Sequence, residues 1–376
     1  MAMARSEAVR RFSGMLVGLM LCAAGQQIKA AYAGDAEFEL AQAAASGGRY
    51  RDVIGILDDL LLNPDLGTAG QVVAYSNRGI AYSLLSAYGL AKQDLEEAHR
   101  LDPQHKLTLN RLGMIEAEVD GNPKAAVRYF ELAASAGFAP SQVALADLLL
   151  RGEGVAKDER RAFSLYLLAA EANYALAYTA LGEMLMRGIG TTRDAPQAIV
   201  WLERAGSAGV AEANYQLGLA YEVGTGVRTD AAAAVANYLA AGRQGHVRAQ
   251  IALGYMYRHG WGVGQSYIKA AHWYRLGANQ GEAAAQNRLA WLLAACPVKD
   301  VCNGEAAVSW AQQAIRQASI GSYLDSLAAG YARMGEFEMA INTQQRALNI
   351  DDIGGDDRAS YESRLRLYRR GEPYQL

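Results

Sequence analysis

Leu217-Gly218-Leu219-Ala220-Tyr221-Glu222-Val223-Gly224-Thr225-Gly226-Val227 sets the fold of this chain, because the same frame returns on both sides of it at one spacing. Leu253-Gly254, Gly260, Gly262 and Val263 stand 36 residues on; Leu181-Gly182, Gly188 and Gly190 stand 36 residues back. One further step back come Leu145-Ala146, Gly152 and Gly154. An alanine follows each frame, at Ala162, Ala198, Ala234 and Ala270. The stretch therefore divides without a gap into blocks 138–173, 174–209, 210–245 and 246–281. A period of this length marks one supersecondary unit that buries its apolar face by stacking on its neighbours.

Each block reads as a helix hairpin. Leu217, Gly218 and Tyr221 fall on one face of a first helix. Gly218 is small because a second helix presses there, and a larger side chain would overpack the contact. Gly224 and Gly226 end the first helix, glycine being the residue that accepts left-handed backbone without strain. Asp230 stands where a carboxylate caps the free amides of a second helix, and Ala234 and Tyr238 turn back onto the first. The composition agrees: 51% apolar, with only 7 prolines.

The pattern Leu-Gly-x-x-Tyr-x-x-Gly-x-Gly-Val at 217–227, with Asp230 and Ala234, resembles the Sel1-like repeat. Leu253-Gly254 through Val263, with Ala270 and Trp273-Tyr274, matches equally well, though Ser266 replaces the aspartate. Both flanks resemble the related tetratricopeptide repeat. Gly79, Tyr82, Ala91, Ala98 and Pro103 hold its spacing before the array, and Ala328, Tyr331, Ala340 and Ala347 hold it after. The resemblance implies an all-α, superhelical solenoid of helix hairpins. The expected segments are tetratricopeptide-like repeats over 34–137, four Sel1-like repeats over 138–281, tetratricopeptide-like repeats over 282–353, and a capping helix with a tail over 354–376.

Arg5, Arg10 and Arg11 followed by the apolar run from Phe12 to Ala24 read as an export signal, with Ala31-Tyr32-Ala33 placing the cut before Gly34. The run is too short for a spanning helix, so no stable membrane span is expected after cleavage. Loss of 1–33 removes four basic residues and one acidic residue, taking the formal charge from −3 to −6. An acidic chain without a basic stripe is a poor ligand for nucleic acid. Export leaves Cys296 and Cys302 as an even, closely spaced pair, a disulfide candidate in an oxidising compartment. The expected location is periplasmic or secreted.

No motif carries chemistry convincingly. Ser266-Tyr267-Ile268-Lys269 spells the S-x-x-K of penicillin-binding enzymes, but Ser266 and Lys269 occupy ordinary repeat columns and the K-T-G element is missing. The glycine pairs lack the Gly-Lys-Ser/Thr of a phosphate loop. His99, His105, His246, His259 and His272 never fall at metal-ligand spacing. No catalytic residue, cofactor or metal site is expected. The tetratricopeptide resemblance instead implies a concave surface lined by the first helix of each hairpin. Its positions here are Asp147, Arg151, Glu183, Arg187, Glu222, Tyr255, Arg258, His259 and Trp291. Acidic, basic and aromatic groups along one face suit an extended peptide or a partner helix. The reading is a non-enzymatic exported scaffold or adaptor for envelope or secreted proteins, in assembly, polysaccharide export or signalling regulation. A β-lactamase-like hydrolase and a glycan-binding module are the alternatives.

Overall fold

The computed structural model describes residues 34–350 and 355–376. The export signal expected over 1–33 lies outside the described residues. Among those described there are nineteen α-helices and no strand. They follow one another as hairpins: α1 (Asp35–Ser46) with α2 (Tyr50–Leu61), α3 (Thr68–Leu84) with α4 (Tyr88–Leu101), and α5 (Lys106–Glu118) with α6 (Pro123–Ser135). The four blocks supply α7 (Ala139–Arg151) and α8 (Glu159–Glu171), α9 (Ala175–Arg187) and α10 (Ala195–Ser207), α11 (Ala211–Val223) and α12 (Ala231–Arg243), and α13 (Val247–His259) and α14 (Tyr267–Asn279). Then come α15 (Ala283–Ala295) with α16 (Gly304–Gln317), α17 (Gly321–Met334) with α18 (Phe337–Leu348), and α19 (Gly355–Arg369). The helices gather into two compact units. One holds the chain up to Met184 with Gly188–Thr192; the other holds Leu185–Arg187 and Arg193–Leu376.

The repeat frame acts as its chemistry dictates. Asp230 accepts from the amides of Ala232 and Ala233 at 2.9 and 3.0 Å, and Asp158 and Asp194 cap α8 and α10 in the same way. Ser266, the departure from the pattern, still caps α14 by accepting from Lys269 N at 3.3 Å. Gly226 and Gly262 have φ of 76° and 68° and also lie against the backbone of the preceding hairpin. A Cβ would stand 2.5 Å from the Ala195 carbonyl oxygen at the first and 2.3 Å from that of Ala231 at the second. Both the left-handed turn and the close approach therefore exclude a side chain.

In the first unit, polar ties reinforce the tetratricopeptide-like hairpins. The Arg78 guanidinium donates to both Asp94 oxygens at 2.7 Å and to Asp58 at 2.6 Å. Ser141 Oγ donates to Asn110 Oδ1 at 2.9 Å with both residues buried.

In the second unit, a chain of glutamines joins successive hairpins, a feature the sequence reading did not single out. Gln250 Nε2 donates to Gly242 O at 3.0 Å. Gln280 Nε2 in turn lies 2.9 Å from Gln250 Oε1 and 3.0 Å from Gly245 O. One period on, Gln286 meets Ala278 O at 3.4 Å, and Gln317 meets Gln286 Oε1 and Gly281 O at 3.1 and 2.9 Å. These amides satisfy carbonyls that a helix end would otherwise bury unpaired.

The last helix, α19, packs on α18. It buries Tyr361, Leu365 and Tyr368. Asp325 is buried and accepts from Arg364 Nε and Gln344 Nε2, both at 2.8 Å. Beyond α19 the chain folds back, and Leu376 N donates to Ala295 O at 2.8 Å.

Candidate protein-binding face

In the second unit, α15 packs broadly on α17 and α13 touches α15, whereas the second helices α14, α16 and α18 approach one another less. The first helices thus form the tighter side of this stack. Their side chains that point away from the hairpin core define its candidate face.

On α11, Glu222 accepts a hydrogen bond of 2.5 Å from Tyr238 Oη. The Tyr238 ring is fully buried and rests on Gly218, where a Cβ would come within 2.4 Å of its Cδ1 and Cε1. Burial, and then the Glu222 carboxylate, push the Tyr238 hydroxyl well above its ordinary value. The first unit repeats the motif: Tyr166 Oη donates to Asp147 Oδ1. Two of the expected ligand-binding acids are therefore held by tyrosines of their own hairpins. Tyrosine and acid lie 16 and 19 residues apart, and neither spacing is a periodic signal.

Tyr255, Arg258 and His259 are brought together at the end of α13. The Tyr255 ring lies 4.4 Å from His259 and 6.1 Å from Trp261, centroid to centroid. Trp261 is 51% exposed. It stands between the two glycines of its loop, where the other blocks carry Glu153, Ile189 and Thr225. That column was readable in the sequence but was passed over. Burial first, and then Arg258 and Arg288, hold the His259 imidazole below its ordinary value. Behind them Tyr274, 1% exposed, has its hydroxyl pushed up to about 12 by burial, against the opposing pull of Arg288 and Arg258.

The remaining expected residues differ in setting. Arg151 is exposed, 3.4 Å from the Glu153 carboxylate. Glu183 is half-buried, and Arg187 is exposed. Trp291 on α15 is already covered by the chain itself: the Tyr374 ring lies 5.6 Å away, and the Arg364 guanidinium sits 5.0 Å from the indole and 5.5 Å from Tyr374. That contact joins positions more than 80 residues apart, beyond any repeat spacing.

The segments weighed for other chemistry resolve locally. Ser266 Oγ is occupied as a helix cap, and Lys269 Nζ lies 5.3 Å over the Tyr257 ring. Cys296 and Cys302 face one another with Cα atoms 5.9 Å apart, inside the range a disulfide spans. Among the described residues there is no cluster of three side chains suited to a metal ion, and no helix is long and apolar enough to cross a membrane.

The Sel1 repeat profile matches residues 109–138, 139–174, 175–210, 211–246, 247–282 and 283–319, one unit further on each side than the four regular blocks. No curated protein sequence matches the chain. Among solved structures, c5321, a protective antigen present in uropathogenic Escherichia coli strains and displaying an SLR fold, is similar at 22% identity. That similarity covers 89% of this chain and 76% of that one, with a TM-score of 0.64. A Sel1 repeat protein from Oxalobacter formigenes is similar at 27% identity, covering 64% of this chain and 96% of that one, with a TM-score of 0.55. These likenesses support the all-α repeat fold.

Proposed function

The chain belongs to the Sel1 repeat family, and from that premise we propose that it is an exported scaffold whose first-helix face binds a polypeptide segment of a partner protein. Sel1 and tetratricopeptide-like repeat scaffolds act through protein–protein interaction, on the extended faces that stacked hairpins create. The observation that carries the reading here is the group at the end of α13. Tyr255, Arg258, His259 and the half-exposed Trp261 stand together at the end of a first helix and the loop that follows it. Aromatic and arginine side chains in one patch are the residue types that anchor protein interfaces. The sequence features of 1–33 favour export, and the paired cysteines favour an oxidising compartment where they are bonded. The working partner is accordingly an envelope or secreted protein.

The test is affinity capture from a native envelope fraction with the full chain as bait, beside a Tyr255→Ala/Arg258→Ala variant. Partners retained by the first and lost by the second support this face. Identical sets from both baits would place binding elsewhere on the molecule. Export is tested separately, by N-terminal sequencing of the protein recovered outside the cytoplasm. A chain found there beginning at Gly34 agrees with it, and one retained whole in the cytoplasm does not.

A further inference from the structure

Residues 372–376 lie on the protein as a short peptide lies on its receptor. Gly371, at φ 72°, turns the chain off α19, and no regular structure follows it. Tyr374 is half-buried, Gln375 exposed and Leu376 half-buried. That is the alternation of an extended segment, which turns every second side chain to one surface. The Tyr374 ring lies 5.6 Å from the indole of Trp291 on α15. Leu376 packs against the buried cluster that holds Leu292 and Cys296, and its N–H donates to Ala295 O at 2.8 Å.

The surface beneath is built without help from this segment. Arg364 Nε donates at 2.8 Å to the buried Asp325, and its guanidinium sits 5.0 Å from the Trp291 indole. A further aromatic ring laid there meets the indole and the cation together, as Tyr374 does with Arg364 at 5.5 Å. Trp291 keeps part of its surface open even with Tyr374 over it. The segment itself is lightly fastened. Among the described residues, the bond to Ala295 is the one backbone hydrogen bond that residues 373–376 make. The positions it covers belong to columns of the repeat: 36 residues before Trp291 and Ala295 stand Tyr255 and His259.

We propose that the seat over Trp291 is a binding site for an extended segment of a partner polypeptide, with an aromatic residue at the place of Tyr374 and an aliphatic residue at that of Leu376. Residues 371–376 are its resident occupant and leave when the partner binds. Main-chain bonding to Ala295 O and two alternate side chains supply recognition, the mode by which extended peptides are read. A tethered occupant competes at an effective concentration on the order of millimolar, so only a segment that meets both anchors displaces it. The inference rests on the reading of the first-helix face as protein-binding and adds the class of sequence that it selects.

The test measures fluorescence anisotropy of a fluorescein-labelled peptide of residues 370–376 with the full chain and with its Tyr374→Ala variant. The variant, whose own segment has lost its anchor, should bind the peptide roughly ten-fold or more tightly than the parent does. Peptides carrying Tyr374→Ala or Leu376→Ser should fail to bind, a control that asks no protein variant to fold. Adding Trp291→Ala to the variant should remove binding, while adding Tyr255→Ala/Arg258→Ala should leave it. Random twelve-residue peptides selected on phage against the Tyr374→Ala chain should converge on an aromatic residue two positions before an aliphatic one, and the labelled peptide should compete with them. Equal affinity for parent and variant would overturn residues 371–376 as the occupant. Enrichment without that spacing would overturn the chemistry of the seat. Absence of peptide binding to either chain would overturn the seat but not the group at the end of α13, which the capture experiment tests on its own residues. A parent that sediments as a dimer, with a monomeric Tyr374→Ala variant, would make a second copy the occupant and overturn the partner.

Discussion

Replacing Gly218 by alanine isolates the packing that makes a hairpin. The new Cβ would stand 2.4 Å from two carbons of the Tyr238 ring, where carbon atoms rest about 3.5–4.0 Å apart. The ring must retreat by roughly 1 Å for the two to reach contact distance. It is fully buried, and its hydroxyl is held by Glu222, so retreat strains both the core and that hydrogen bond. Overpacking of this kind costs about 1–3 kcal/mol, against which alanine regains about 1 kcal/mol of helix propensity over glycine. Gly55 on α2 provides the control, since it is exposed and a Cβ there meets nothing within 4 Å. Gly55→Ala should therefore stabilise its hairpin by about 0.5–1 kcal/mol. Gly218→Ala should gain nothing and destabilise its own by up to about 2 kcal/mol, and Gly218→Leu by more again. The assay is urea denaturation of each variant, with amide hydrogen exchange assigning the loss to the hairpin concerned. For units of this size a change of 1 kcal/mol corresponds to about 2–4 °C in melting temperature. If Gly218→Ala stabilised the protein as Gly55→Ala does, the pairing of Gly218 with Tyr238 would be wrong.

Tyr238→Phe should cost about 0.5–1.5 kcal/mol in thermal melts, because it removes a donor from Glu222, while Tyr274→Phe, which removes a hydroxyl with no acceptor among the described residues, should cost nothing; equal losses at the two sites would refute this contrast. His246 caps α13 by accepting from Ala249 N at 3.2 Å through Nδ1, with Nε2 2.9 Å from Glu212. That contact holds the Glu212 carboxyl below its ordinary value of 4.5. Glu212 therefore contributes stability that is present above pH 4.5 and lost as pH falls through its lowered value. Glu212→Gln should flatten that limb of a stability profile measured between pH 3 and 6, roughly the carboxylate range, and an unaltered limb would contradict it. The Cys296–Cys302 bond, with a sequence separation of 6, should contribute about 2 kcal/mol by closing a short loop. Reduction should then lower the melting temperature of protein recovered from an oxidising compartment. Mass spectrometry showing both thiols free in that sample would remove the bond.

The hairpins were legible because their determinants are local and repeat. The glycine pairs, the acids before α8, α10 and α12, and the small residue facing Tyr238 all keep one column, and each performs the role that its chemistry requires. The glutamines escaped notice because a polar residue in an amphipathic pattern reads as solvated, whereas stacking buries Gln250 and Gln286 against helix ends. For the face, the sequence could put Asp147 and Glu222 on first helices without showing that a tyrosine of the same hairpin already holds them. Trp291 was placed on the right helix, but nothing in the periodicity announces that residues 371–376 lie over it. Arg288, unlike its column mates Gln216 and Ala252, was a departure open to inspection. Departures within a regular column are where this chain carries its individuality.

The joint between hairpins has an implication for how such a chain changes over generations. Gly226 lies against Ala195, and one period on Gly262 lies against Ala231 through the same backbone atoms. Excising residues 210–245 in frame would set Gly262 over Ala195 as Gly226 stands now, and duplicating that stretch would add another step of the same make. Unequal recombination between blocks thus exchanges whole modules without cutting a joint, so length is a trait that this gene can gain or lose in single events.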